Sequence, residues 1–202
     1  MNLLIIIGNP NPGSFSNAIA GVVSETLQKN GHDVIIHDLY AEGFNPVLPV
    51  GELSKDASLE STIKFHCEEV AIADGIVIIH PNWWGSPPAI LKGWVDRVLR
   101  QGVAYTFKVN DSGEGVPVGL LRAQAVVVFT TSNTPDKREK SVFGDPLENL
   151  WKTCIFDFCG VKNFQRRNYG VMVTSTPEER KSWLEDVRKV VTTTFKEETH
   201  GG

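Results

Sequence analysis

Three short stretches of this chain combine residue types that bind anions and flat rings. The first, Gly8-Asn9-Pro10-Asn11-Pro12-Gly13-Ser14-Phe15-Ser16-Asn17, follows an apolar run and leads into a helical pattern. A small polar loop that opens a helix is a physical recipe for an anion site. The unpaired N–H groups of the first turn and the positive end of the helix dipole attract phosphate. Asn9, Ser14, Ser16 and Asn17 add amide and hydroxyl donors beside Phe15. The loop is neither GxGxxG nor GxxxxGK[ST], so it supports no dinucleotide or P-loop fingerprint. Ser14 or Ser16 equally fits a plain helix cap. The second stretch, Pro81-Asn82-Trp83-Trp84-Gly85-Ser86, sets two tryptophans side by side. Two exposed indoles are costly unless something flat covers them; packing in a core or a dimer interface is the competing use. The third, Thr130-Thr131-Ser132-Asn133-Thr134-Pro135, is small and polar, and offers backbone N–H groups.

The elements that position these loops follow from hydrophobic patterning. Short runs rich in Ile and Val at Leu3–Gly8, Asp33–Asp38, Gly75–His80, Ala125–Thr131 and Gly170–Thr174 read as strands buried on both faces. Helical patterns fall between them at 15–30, 56–73, 87–101, 145–159 and 177–196. Such alternation predicts an α/β fold, a five-stranded parallel sheet with helices on both faces, in the flavodoxin-like order 2-1-3-4-5. In that order strands 1, 3 and 4 are neighbours, so the three loops meet at one edge. In the third helix Ser86 is the expected cap, Pro87 and Pro88 the first turn, and Leu91, Trp94, Val95, Val98 and Leu99 the apolar stripe. Lys92, Asp96 and Arg100 form a charge ladder on another face. Thr176-Pro177-Glu178-Glu179 is a capping box for the last helix, and the tail from Lys196 onward reads as frayed. Segments 41–54 and 106–122 are long and irregular, which fits function or a partner surface and equally a plain surface excursion. No linker divides the chain, so residues 1–202 are expected to form one domain.

Composition removes several classes. The 202 residues are 41% hydrophobic and carry a formal charge of −4, with no basic face for nucleic acid and no polybasic block for a membrane surface. The apolar start, Leu3 to Ile7, is too short to span a bilayer and lacks the flanks of a signal peptide, which predicts a cytoplasmic protein. Cys67, Cys154 and Cys159 are too few and too spread for a disulfide framework or zinc site, and Cys154 and Cys159 read as buried thiols. The five histidines have no helical partner at ligand spacing, so no metal is expected.

An anion cradle, an aromatic wall and a small polar loop at one sheet edge suit a flat, phosphate-bearing cofactor, and flavin is the simplest candidate. The segment HPNWWGSPPAILKGWVDRVLRQGVAYTF, with Asn9-Pro10 and Gly13-Ser14-Phe15-Ser16 before it and Thr130-Thr131 after it, resembles the NAD(P)H:quinone oxidoreductase family of flavodoxin-like flavoproteins. Asp38-Leu39-Tyr40 and Phe44-Asn45-Pro46 fit the same pattern, and the resemblance covers most of residues 3–190. It implies that Ser14, Phe15, Ser16 and Asn17 hold the flavin phosphate, with Asn9 on the same loop. It implies that Pro81, Asn82, Trp83, Trp84 and Gly85 edge the isoalloxazine ring. Thr130, Thr131, Ser132 and Asn133 would reach its pyrimidine side. It further implies FMN or FAD as cofactor, NADH or NADPH as donor, a quinone-like acceptor, and a homodimer that shares its active site.

One departure concerns the Tyr–His pair that mammalian members carry beside the flavin. Residues Asn133 to Pro146 here hold neither Tyr nor His, and Phe143 stands where the His would precede Gly144-Asp145. Catalysis would still rest on the flavin, which carries the hydride. Two other roles compete: an ancillary flavin-binding subunit, as some relatives are on potassium-efflux systems, and a flavin reductase or electron carrier.

Overall fold

Strands buried on both faces need apolar side chains at every position, and three segments of this chain meet that demand. The computed structural model describes residues 1–109 and 113–196. Its elements are β1 (Asn2–Ile7), α1 (Phe15–Lys29), β2 (Asp33–Asp38), α2 (Ser61–Ile72), β3 (Gly75–Pro81), α3 (Ala89–Val98), β4 (Tyr105–Val109), β5 (Gly115–Gly119), β6 (Ala125–Thr131), α4 (Asp136–Ser141), α5 (Pro146–Glu148) with a π-helical continuation (Asn149–Asp157), β7 (Asn163–Tyr169) and α6 (Pro177–Thr194). The main sheet is parallel, in the order β2-β1-β3-β6-β7. With β4 and β5 set aside, this is the expected flavodoxin-like order. β3 and β6 are buried along their whole length.

Successive side chains of a strand point to opposite sides, and the core divides accordingly. Leu3, Ile5 and Ile7 join Ile19 and Val23 of α1 and Val187 and Val191 of α6. Leu4 and Ile6 join Val70 of α2, Leu91, Trp94 and Val98 of α3, and Trp151 and Phe156 of the π-helix.

Several local expectations change. The fifth strand is Asn163–Tyr169, and Met172–Thr174 of the expected strand is a 3-10 turn. The reason is position. An edge strand pairs on one side only, so it tolerates the polar sequence NFQRRNY, whose Asn168 and Tyr169 find partners in Thr130 and Asp186. The second expected helix starts late, at Ser61. The third starts at Ala89 with Pro88 as its cap residue, because Ser86 is tied to Trp83 in a tight turn. Arg100 donates to the carbonyls of Glu52 and Ser54, while Lys92 pairs with Asp96 at 2.5 Å. Residues 145–159 are mostly π-helical, and the wider turn suits apolar residues spaced four to five apart at Leu147, Trp151 and Ile155–Phe156. Cys67 and Cys159 are buried, but Cys154 is exposed. The capping box of Thr176 and Glu179 is present. The frayed tail beyond Lys196 lies outside the described residues.

The two irregular segments have structure. Most of 106–122 is the β4–β5 hairpin, and residues 110–112 at its tip are outside the described residues. Tyr105, Phe107 and Phe158 meet edge to face on it. Segment 41–54 is pinned to α3. Gly93 lets the backbone of Pro46 approach so closely that a Cβ would overlap it. One turn further, the fully buried Arg97 donates two bonds to Glu52, at 2.9 and 2.5 Å, and one to the Asn45 carbonyl at 2.7 Å. A bidentate guanidinium–carboxylate pair is one of the few arrangements in which a buried charge is satisfied. Trp94, of the expected apolar stripe, is buried within its own chain. Among the described residues no helix is long and apolar enough to cross a membrane.

Candidate active site

The register of the sheet brings the three loops together. β3 and β6 end level, with His80 opposite Thr130 and Pro81 opposite Thr131. The Asn82 N–H then donates to the Thr131 carbonyl at 2.7 Å, and the Ser16 and Thr131 hydroxyls lie 3.5 Å apart. A cleft of about 930 Å³ opens over this junction. Pro81, Asn82, Trp83, Trp84, Gly85, Thr131, Ser132 and Asn133, all singled out from the sequence, line it. Its size lies in the range of sites for drug-sized ligands and cofactors.

The aromatic turn is the most unusual part. Trp83 and Ser86 exchange both backbone hydrogen bonds at 3.0 Å, and the two residues between them, Trp84 and Gly85, have φ of 56° and 70°. Left-handed backbone costs a residue with a side chain about 1–2 kcal/mol. Trp84 bears that strain and is also fully exposed, at 103%. An indole so held has no packing partner to explain it, and it presents a flat apolar face to the cleft. Gly85 is required twice over, by its φ and by Pro146, which a Cβ would strike.

Below the turn His80 is buried, and its tautomer is fixed. Nδ1–H donates to the Pro81 carbonyl at 2.8 Å, and Nε2 accepts from the Trp151 indole at 3.0 Å. Burial, opposed by the Pro81 bond and aided by the charge of Arg166, pulls its pKa down to about 4. His80 is thus a neutral strut under the aromatic loop. Thr130 belongs to the same underlayer: its hydroxyl donates to Asn168 at 2.9 Å, and its side chain does not line the cleft.

The first loop is stitched by its own asparagines. The Asn9 amide donates to Ser16 Oγ at 3.0 Å, and the Gly13 N–H donates to Asn11 at 2.9 Å. Ser14 caps α1, accepting from the Asn17 N–H at 3.3 Å. Phe15 and Ser16 follow as the first two helical residues, whose N–H groups have no acceptor within a helix. The Asn17 amide donates to Pro12, but its oxygen is a buried acceptor that no described residue satisfies. Free N–H groups and an orphaned acceptor in one loop fit a phosphate with an adjacent hydroxyl-bearing chain. Phe15 packs edge to face on Tyr169 and Trp183.

Thr134 of the third stretch and Phe143, which stands where the family's His would be, complete the cleft with Glu139, Pro146 and Met172, to which sequence reasoning gave no place in the site. Their only local signal was their place after the Thr130–Asn133 loop; helix α4 is a charged run with no apolar stripe. Sequence spacing also hid a second cluster. His37 on β2, Glu42 beyond it and His66 on α2 bring donor atoms within 4.8 Å of one another. Hydrogen bonding makes this a proton network. The Trp94 indole donates to His66 Nδ1 at 3.2 Å, so the His66 proton sits on Nε2, where a metal would need a lone pair. His37 bonds Glu42 at 2.9 Å and Glu69 at 2.6 Å through its two ring nitrogens.

With this geometry established, comparison with known proteins places the chain. Residues 1–196 match the family model described as flavodoxin-like fold, and the chain belongs to that family. A Haemophilus influenzae protein named as an uncharacterized NAD(P)H oxidoreductase is 34% identical over 189 residues, covering 92% of this chain and 91% of that one. Human ribosyldihydronicotinamide dehydrogenase [quinone] is 31% identical over 220 residues, covering 97% and 93%. An FMN-dependent NADH-azoreductase from Bacillus anthracis, solved with FMN, superposes with a TM-score of 0.76 at 18% identity, over 96% and 99% of the two chains.

Proposed function

We propose that this protein is a flavin-dependent NAD(P)H oxidoreductase that passes hydride to a quinone or similar small aromatic acceptor. The observation that carries the reading is Trp84, strained and fully exposed at the mouth of the cleft. When bound, flavin supplies the two-electron hydride relay between nicotinamide and acceptor. The chain's own residues bind and orient it. The N–H groups of Phe15 and Ser16 and the Ser14 hydroxyl would hold the phosphate, and the Trp83–Trp84 turn with Thr131, Ser132 and Asn133, which line the cleft, would hold the ring. One phosphate-sized loop and the FMN bound by the Bacillus relative favour FMN. The reading takes the chain as one domain, its sheet covered by helices on both faces, working in the cytoplasm.

Trp84→Ala tests the reading. Its turnover with a quinone should fall by up to about tenfold, the size expected for loss of an aromatic contact worth up to about 1.5 kcal/mol. Its melting temperature should stay level or rise, because a left-handed strain and an exposed indole are lost together. A fall in melting temperature at an unchanged rate per folded molecule would make Trp84 a packing residue.

The reading includes a homodimer with shared flavin sites. Val47, Val50 and Leu53 are exposed on the pinned loop, and Phe107, Val109 and Val116 are exposed on the β4–β5 hairpin. An obligate interface over these surfaces would bury more than about 2,000 Å². Sedimentation across a dilution series, read at a flavin wavelength, should show flavin leaving as the dimer dissociates. A monomer that keeps flavin and activity at every concentration sinks the shared site.

A further inference from the structure

Among the described residues that line the cleft, Glu139 alone is ionisable. It is also 2% exposed. A carboxylate there is costly unless hydrogen bonds compensate it. Its Oε1 accepts from the Asn82 amide nitrogen at 2.9 Å. The other end of that amide accepts from the Gly85 N–H at 3.0 Å. Asn82 is therefore held between α4 and the aromatic turn.

The chemistry of the pair fixes a direction. An ionised carboxylate only accepts hydrogen bonds. It forces the NH₂ of Asn82 toward α4 and so turns the carbonyl oxygen to Gly85. The opposite flip would set NH₂ against the Gly85 N–H and leave the turn without its side-chain bond. The turn needs that bond, because Trp84 sits in a left-handed conformation it does not favour. We propose that Glu139 is a positioning residue: acting through Asn82, it holds the Trp83–Ser86 turn so that Trp84 faces the ring-binding cleft. The inference rests on the proposed oxidoreductase function and assigns a task to the stretch that lacks the Tyr–His pair.

Flavin-free protein labelled with 5-fluorotryptophan tests the coupling independently of any activity. The chain has five tryptophans, and Phe replacements assign their fluorine signals. Glu139→Ala should shift or broaden the signals of Trp83 and Trp84 and leave Trp94, Trp151 and Trp183 in place. Asn82→Ala should give the same change, and the double variant should add nothing further. Glu139→Gln, whose amide oxygen still accepts, should restore the wild-type spectrum. In loaded enzyme, Glu139→Ala should raise KM for the quinone about tenfold, as expected for a lost hydrogen bond to a charged group, and Glu139→Gln should stay within about twofold of wild type.

Unmoved Trp83 and Trp84 signals in Glu139→Ala would overturn the proposal. So would equal shifts of all five signals, which mark general packing, or a Gln variant that behaves like Ala. The fluorine result holds even if quinone is not the acceptor, so failure of the oxidoreductase reading remains separable.

Discussion

Replacing Ser14 by Asp is expected to abolish flavin retention without lowering thermal stability. Ser14 is the N-cap of α1 and accepts from the Asn17 N–H. Asp caps a helix as well as Ser does and suits the positive end of the dipole, so the fold loses nothing. The same carboxylate would stand where the free N–H groups of the first turn meet a phosphate. Two unit charges about 4 Å apart near a protein surface repel by about 4 kcal/mol, which is roughly a thousandfold in affinity. Ser14→Ala should cost less, about 1.5–3 kcal/mol, because the backbone donors remain. Flavin titration of the apoprotein, with melting curves run alongside, separates the two effects. Undiminished affinity in Ser14→Asp would take this loop out of the site.

The second large effect is loss of stability in acid, driven by two buried histidines. His66 and His80 both fall from an ordinary 6.5 to about 4, each chiefly through burial. For His66 the nearby charge of His37 adds to the shift. The unfolded chain takes up these protons below pH 6.5, while the folded chain declines them until about pH 4. Between those limits the unfolded state binds more protons, so stability rises with pH and is lost as pH falls through the window. Each group contributes about 1.4 kcal/mol per pH unit, so the pair costs several kcal/mol by the foot of the window. That is a large share of the ~5–15 kcal/mol that stabilises a typical domain. Denaturant unfolding from pH 7 to 4 should show the decline, and His66→Gln or His80→Gln should each remove about half of its slope. A flat profile across the window would show that neither histidine is buried in the neutral form.

The sheet was legible because its central strands must be apolar on both sides, and the runs at Leu4–Ile7, Gly75–Ile79 and Ala125–Phe129 have no other use in a chain of this size. The order followed from the alternation of strand and helix. β7 was not legible, because an edge strand is half exposed and NFQRRNY carries no apolar period. The hairpin was missed for a related reason: PVG and a glycine-rich tip interrupt the alternation that marks a strand.

The site divides in the same way. Two tryptophans before a proline-led helix, and a serine-rich loop before another, are local arrangements whose chemistry depends on residue types, so Ser14, Ser16, Trp83, Trp84 and Thr131 stood out in the sequence. By itself the sequence determined the fold class and which loops meet, since burial and strand–helix alternation are written in residue types. Only the tertiary structure decided how the meeting place is built. It brought Glu139 to Asn82 across 57 positions of chain and set Trp151 beneath His80. It turned Trp84 into the left-handed region and raised its indole into solvent. Those outcomes depend on distances and dihedral angles between elements remote in sequence, which no local pattern of residues encodes.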